Sequence, residues 1–164
     1  GGAEEVPVKK GLLPLLALMV LSGISITPSA HAFTEEIHEI ETVIEKTVGT
    51  KVLWSNGHSL CNRNSYGFYH PAKDVVVMCQ ENHKYDYDEL VATLKHEGWH
   101  AVQNKCNNNR AALSDELIRK HMDTRTSDVL HSYPHKQHRS EAEARVVERI
   151  PNANWIQGVQ IYCS

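Results

Sequence analysis

The sequence predicts an α+β fold: a small antiparallel sheet, then a long helix, then a C-terminal helical part. Three observations predict it. Apolar residues recur at helical spacing in residues 34–48 and again in 86–106. Between them, two short runs, 66–70 and 74–79, flank Pro71-Ala72-Lys73 as the arms of a hairpin do. After residue 106 the chain returns to helical patterning, with no internal repeat and no low-complexity linker.

Residues 1–32 are expected to be a signal peptide. Lys9 and Lys10 form a small basic region, and Leu12 to Leu21 is an apolar run of signal-peptide length. Ala30-His31-Ala32 supplies an A-x-A site, so cleavage is expected before Phe33. An uncleaved anchor is the rival reading; Pro14 and the shortness of the run argue against it and against stable membrane insertion. Residues 33–164 are then a single domain, long enough to bury a core. Seventeen Lys and Arg against twenty Asp and Glu leave no basic excess for nucleic acid. All four cysteines, Cys61, Cys79, Cys106 and Cys163, follow the expected cleavage site. An even count in an exported chain, periplasmic or secreted, implies two disulfides. Of the three pairings, Cys61–Cys79 and Cys106–Cys163 are favoured. The first flanks the hairpin and the second ties the C-terminus to the long helix.

The elements follow in order. Ile37, Ile40, Ile44 and Val48 make Thr34 to Val48 a helix, with Thr34 to cap it and Gly49 to end it. Lys51 to Trp54 is a short strand, and Asn56-Gly57 signals a turn. Tyr66 to His70 and Asp74 to Cys79 are the hairpin strands; Val75-Val76-Val77-Met78 is apolar throughout, as for a strand covered on both faces. Glu81 to Tyr85 is a polar loop. Asp86 and Glu89 have capping-box spacing and open the long helix, which ends near Cys106. Leu90, Leu94 and Ala101 form its apolar stripe. Glu89, Thr93, His96, His100 and Gln103 form a polar one. Ser114 to Met122 reads as a helix, and Thr124 to Ser132 is ambiguous. A helix opened by Pro134 runs to about Arg149, where Pro151 stops it. Asn152 or Asn154 caps a short last helix through Ile161.

His96-Glu97-Gly98-Trp99-His100 carries the chemistry. Two histidines four apart on a helix point the same way and can grip one metal ion. Glu97 sits one step round, where it can reach a water that the metal activates. This is the His-Glu-x-x-His arrangement of zinc hydrolases. A histidine-rich chain can contain the pattern by chance, but here it falls on a capped helix. A catalytic zinc takes three protein ligands and keeps one position open, so a third is needed. Glu141 and Glu143, on a later helix, are candidates. They lie about 200° apart round the axis, so only one can face the metal. Ser140 and Glu143 also have capping-box spacing, which gives Glu143 a plain structural reading; a helix opened by Pro134 makes Ser140 internal instead. Cys106 is a weaker candidate because an oxidised cysteine cannot ligate. Asp115, Asp123 and Asp128 sit in no motif.

Thr93 to Val102 resembles the extended zincin signature, with Thr three before the first histidine and Val two after the second. The Glu141-Ala142-Glu143-Ala144 run resembles the glutamate site of small gluzincin-like bacterial metallopeptidases. In those, the glutamate directly before the alanine is often the third ligand, which maps to Glu143, with Glu141 the alternative. The hairpin is similar to the sheet that precedes the active helix in small zincins. The resemblance covers roughly residues 66–147. It implies a zincin-like core whose C-terminal helical part carries the third ligand, a Zn²⁺ cofactor, and an edge strand, Val75 to Cys79 or its neighbour, that pairs with substrate. One departure stands out. The Asp that follows the third ligand by four residues in thermolysin-like enzymes is replaced by Val147 or Arg145. Some other residue must then orient the ligand histidines.

The expected function is zinc-dependent hydrolysis of peptide bonds in a peptide or protein substrate, with Glu97 as the catalytic base. The alternatives are a non-catalytic zinc-stabilised binding domain and a zinc amidase acting on cell-wall peptides. Tyr133, His135, His138, Arg139 and Arg145 are candidates for stabilising an oxyanion. Trp54, Trp99 and Trp155 are expected in the core. His121, His131, His135 and His138 are expected on a solvated stretch. Ser59 and Ser65 have no neighbouring base pattern, so a serine hydrolase is not supported.

Overall fold

In the structure, a computed structural model describing residues 30–55, 57–83, 86–130 and 135–164, α1 (Ala30–Val43) passes without a break into a π-helical turn, Ile44–Val48. Ile40 and Ile44 are fully buried on its inner face, as the periodicity predicts. Gly49 ends it at φ 75°, its N–H donating to the Ile44 carbonyl. The helix begins at Ala30, so Thr34 lies inside it and does not cap it. Alanines at 30 and 32 favour the helix and supply no stop. The leader reading of residues 1–29, and the readings placed on Asn56, Tyr85, His131, Tyr133 and Pro134, lie outside the described residues.

Three strands form one sheet in the order β1-β3-β2: β1 is Lys51–Ser55, β2 Gly67–His70 and β3 Val75–Cys79. The hairpin is present, with β2 antiparallel to β3 and Gly67 opposite Met78. The sheet as a whole is mixed, however, and not antiparallel. β1 runs parallel to β3, Lys51 opposite Val75 and Ser55 opposite Cys79. The reason lies in β3, whose apolar run suits the covered centre of the sheet. The chain after β1 crosses over one face through the 3₁₀ turn Ser59–Arg63, and the Cys61–Cys79 disulfide holds that crossing against the end of β3. Val52, Val76 and Met78 pack into the main core, while Val77 and Cys79 sit with Cys61 and Phe68 on the other face.

α2 (Tyr87–Cys106) is the central helix and touches α1, β2, β3, α5 and α6. Asp86 caps it by accepting from the Glu89 N–H, as its spacing predicts. Leu94, Ala101 and Val102 are fully buried. At Gly98 the neighbours come so close that a Cβ would stand 2.6 Å from Ile44 Cδ1 and 3.3 Å from Trp155 Cζ2. The absence of a side chain is what lets α2 meet the π-turn and the last helix.

α3 (Asp115–His121) is capped by Ser114, and the ambiguous stretch resolves into α4 (Thr124–Leu130), where Asp123 accepts from the Thr126 N–H. A 3₁₀ turn, His135–Gln137, leads into α5 (His138–Val147). Ser140 is therefore internal, and its hydroxyl donates to the Gln137 carbonyl rather than capping Glu143. α6 (Asn152–Cys163) has no side-chain cap, because its N-cap position is Pro151, which offers no side-chain acceptor; Asn152 is the first helical residue, and its amide oxygen accepts from Lys95 Nζ at 3.1 Å. The second disulfide, Cys106–Cys163, joins the ends of α2 and α6, so both favoured pairings are present. Among the described residues no helix is long and apolar enough to cross a membrane.

Candidate metal centre

α2 presents His96 and His100 one turn apart, their imidazole rings edge to face with centroids 4.9 Å apart. α5 crosses this face and brings a carboxylate between them. Glu141 Oε1 lies 3.0 Å from His96 Nε2, and Glu141 Oε2 lies 3.0 Å from His100 Nε2. The two Nε2 atoms are 3.2 Å apart. His96, His100 and Glu141 are the group among the described residues that could hold a metal ion.

The carboxylate that the structure brings to the two histidines is therefore Glu141, the alternative, and not the favoured Glu143. Glu143 points the other way and is fully buried. Its Oε1 accepts from Trp99 Nε1 at 2.6 Å and from Gln103 Nε2 at 3.0 Å, and its Oε2 accepts from the Leu113 N–H at 2.7 Å. Two residues along a helix turn a side chain through about 200°, so the carboxylate facing the histidines excludes its neighbour. Of the remaining candidates, Asp128 is exposed on α4 and the others are engaged elsewhere. Cys106 is in a disulfide, Asp115 pairs with Arg139, and Asp123 caps α4 and pairs with Arg149.

The outer nitrogens of both rings are also held. His96 Nδ1 faces Glu148 Oε1 at 3.4 Å, and His100 Nδ1 faces Gln103 Oε1 at 2.8 Å. A carboxylate and an amide oxygen only accept, so each Nδ1 donates, and each Nε2 is the nitrogen that meets Glu141 and would bind a metal ion. Glu148 and Gln103 are the orienting residues whose identity the sequence left open. Gln103 shares the predicted polar stripe with His100, and Glu148 falls two turns beyond Glu141. Those periodicities were the available signal; the partners themselves depend on how α5 crosses α2.

Two inward-facing Nε2 atoms and a carboxylate make a site that wants positive charge. Burial opposes charge on His96, but hydrogen bonds to Glu141 and Glu148 outweigh it and hold its pKa up at about 10. His100 is raised in the same way by Glu141 and Glu97 against burial. Burial likewise opposes charge on Glu141, but the hydrogen bonds from His100 and His96 hold it well below the usual carboxylate range. Glu97 differs: burial pushes its pKa up, while His96, His100 and a hydrogen bond from the Tyr69 backbone pull it down. It stands within the electrostatic reach of the cluster without belonging to the group that could hold a metal.

Of the residues proposed to stabilise an oxyanion, the structure brings Arg145 to the cluster, its Nε 3.6 Å from Glu141 Oε1. Arg139 turns to Asp115 and the Leu113 carbonyl, and the rings of His135 and His138 meet each other at a tilt, centroids 5.2 Å apart. β3 cannot offer an edge to a substrate, because β1 and β2 occupy both of its sides. The edge strand beside the site is β2, whose Tyr69 backbone reaches Glu97. Trp99 and Trp155 are core residues as expected, 2% and 0% exposed.

A family model described as "Domain of unknown function (DUF8637)" matches residues 32–164. No curated protein matches the chain. No solved structure matches it either.

Proposed function

The chain belongs to this DUF8637 family of domains of unknown function, and from its site we propose that it is an exported zinc-dependent peptidase. The observation that carries the reading is the convergence of His96 Nε2, His100 Nε2 and the Glu141 carboxylate on one point, with Glu97 beside them. Two imidazoles and a carboxylate are a donor set that catalytic zinc takes from protein. The fit is supported further by the burial of Glu141, whose two oxygens each lie 3.0 Å from one histidine Nε2. Export is supported by the leader pattern and by the two disulfides.

A zinc ion bound there would supply Lewis acidity, polarising the scissile carbonyl and acidifying a water. The chain's own residues do the rest. His96, His100 and Glu141 bind the ion. Glu97 takes a proton from the attacking water and passes it to the leaving amine, a general base whose raised pKa suits the second half of that task. The Tyr69 N–H holds the Glu97 carboxylate against β2. Arg145 places a positive charge beside Glu141, where it can offset charge developing on the carbonyl oxygen.

The test is cleavage of a peptide library by the full chain with zinc, beside Glu97→Ala. Cleavage by the parent, with loss of at least about a hundredfold in the variant while zinc stays bound, is the expected result. Equal cleavage by both removes Glu97 from the mechanism. Cleavage of peptidoglycan cross-links but not of the library makes the chain a cell-wall amidase. Zinc binding without hydrolysis of either makes it a zinc-stabilised binding domain.

A further inference from the structure

Glu143 is a fully buried carboxylate for which the peptidase reading has no use. It takes three hydrogen bonds, and one of them comes from the residue that touches His100. We infer that Gln103, locked in one orientation by Glu143, is a positioning residue that commits His100 to bind metal through Nε2. The inference rests on the metal-binding reading of the site.

The two ends of a glutamine amide differ only in what they can do. Glu143 Oε1 and the Ser140 carbonyl both accept and cannot donate, and they lie 3.0 Å and 2.9 Å from Gln103 Nε2. The NH₂ end must face them. The amide oxygen is thereby turned toward His100 Nδ1, 2.8 Å away, where it can be satisfied only by an N–H. His100 thus keeps a proton on Nδ1, and the nitrogen left to bind a metal ion is Nε2. Glu143 in turn cannot swing, because Trp99 Nε1 and the Leu113 N–H fasten both its oxygens. One helix therefore acts on both nitrogens of one imidazole. Glu141 meets Nε2 directly, and Glu143 reaches Nδ1 through Gln103. The pairing of carboxylates two apart on α5, which looks redundant in the sequence, divides into a ligand and an anchor.

Partners at this distance from a metal typically change affinity by about 10–100-fold when removed. Zn²⁺ affinity and the visible absorption of the Co²⁺-substituted chain are measured for the parent, Gln103→Met, Glu143→Gln and the double variant, each verified as folded by circular dichroism. Gln103→Met is expected to weaken Zn²⁺ binding at least about tenfold and to alter the Co²⁺ spectrum. Glu143→Gln should do the same, and the double variant should be no worse than either single one, since both break one relay. A structural role alone would lower the melting temperature and leave affinity and spectrum unchanged, which would overturn the inference; additive losses would overturn the relay. A parent chain that binds neither metal overturns the metal reading itself. Should the variants fail to fold, long-range ¹H–¹⁵N NMR of the zinc-loaded parent decides. A proton on His100 Nδ1 with zinc on Nε2 is expected, and the reverse overturns the proposal.

Discussion

Single residues in this protein are placed by what their polar atoms can accept or donate, and Glu141 and Glu143 show how sharply. Their chemistry is identical and their positions differ by two, yet one meets two histidines and the other meets an indole, an amide and a backbone N–H. Asp74 is a further case. It sits at φ 51° in the β2–β3 turn and accepts from Lys105 Nζ at 2.6 Å and from the Thr50 hydroxyl at 2.7 Å, tying the hairpin to the last turn of α2. Burial raises its pKa, but the bonds from Lys105 and Thr50 outweigh burial and lower it. A carboxyl with a depressed folded-state pKa adds stability above its unfolded value, about 3.9, and that contribution is lost as pH falls through the folded value. Between about pH 5 and pH 3 the parent should therefore lose more melting temperature than Asp74→Asn, which has no such carboxyl to protonate. Equal losses on thermal melts would show that the contact does not contribute.

Elements meet here through the two unspecified positions of the His-Glu-x-x-His run. Gly98 makes room for Ile44 and Trp155, and Trp99 carries the hydrogen bond to Glu143 while meeting Trp155 and Tyr162 edge-on. The motif helix is thus packed hard on the face opposite its histidines, which fixes its rotation and so the aim of both imidazoles. Gly98→Ala should destabilise the fold by about 1–3 kcal/mol through overpacking, despite alanine's better helix propensity. A rise in melting temperature would show that Ile44 can move aside. Much at this scale was legible beforehand. The stripes on α2, its cap at Asp86 and its end at Cys106 are local properties of the chain. The parallel pairing of β1 was not legible, because strand neighbours depend on where the crossing over the sheet goes, and that is settled by β3 and a disulfide.

At the scale of the whole molecule, α2 is a spine against which α1, β2, β3, α5 and α6 all pack. Buried Lys95, next to the first histidine, binds the Ile150 carbonyl at 2.6 Å and so holds the α5–α6 turn against that spine. Burial pushes its pKa down to about 8 despite the Glu148 and Glu36 carboxylates. Cys106–Cys163 closes the same arrangement at the far end, across a separation of 57 residues, against 18 for Cys61–Cys79. On loop-closure grounds the longer link should matter more. Replacing Cys106 and Cys163 by serine should cost about 3–5 kcal/mol in denaturant melts, and replacing the other pair slightly less. The opposite order would mean that the crossing over the sheet, rather than the α2–α6 joint, limits unfolding.

By itself the sequence determined the α+β class, the helical and hairpin segments, the number of disulfides and the pair of histidines with Glu97 between them. All of these rest on short spacings, on periodicity or on the parity of four cysteines. Only the tertiary structure decided that Glu141 and not Glu143 faces the histidines, that Gln103 and Glu148 hold their outer nitrogens, and that β1 joins the sheet in parallel. Each of these depends on the angle and register at which one element crosses another. A helix rotated by a hundred degrees presents a different residue, and its own sequence reads the same either way.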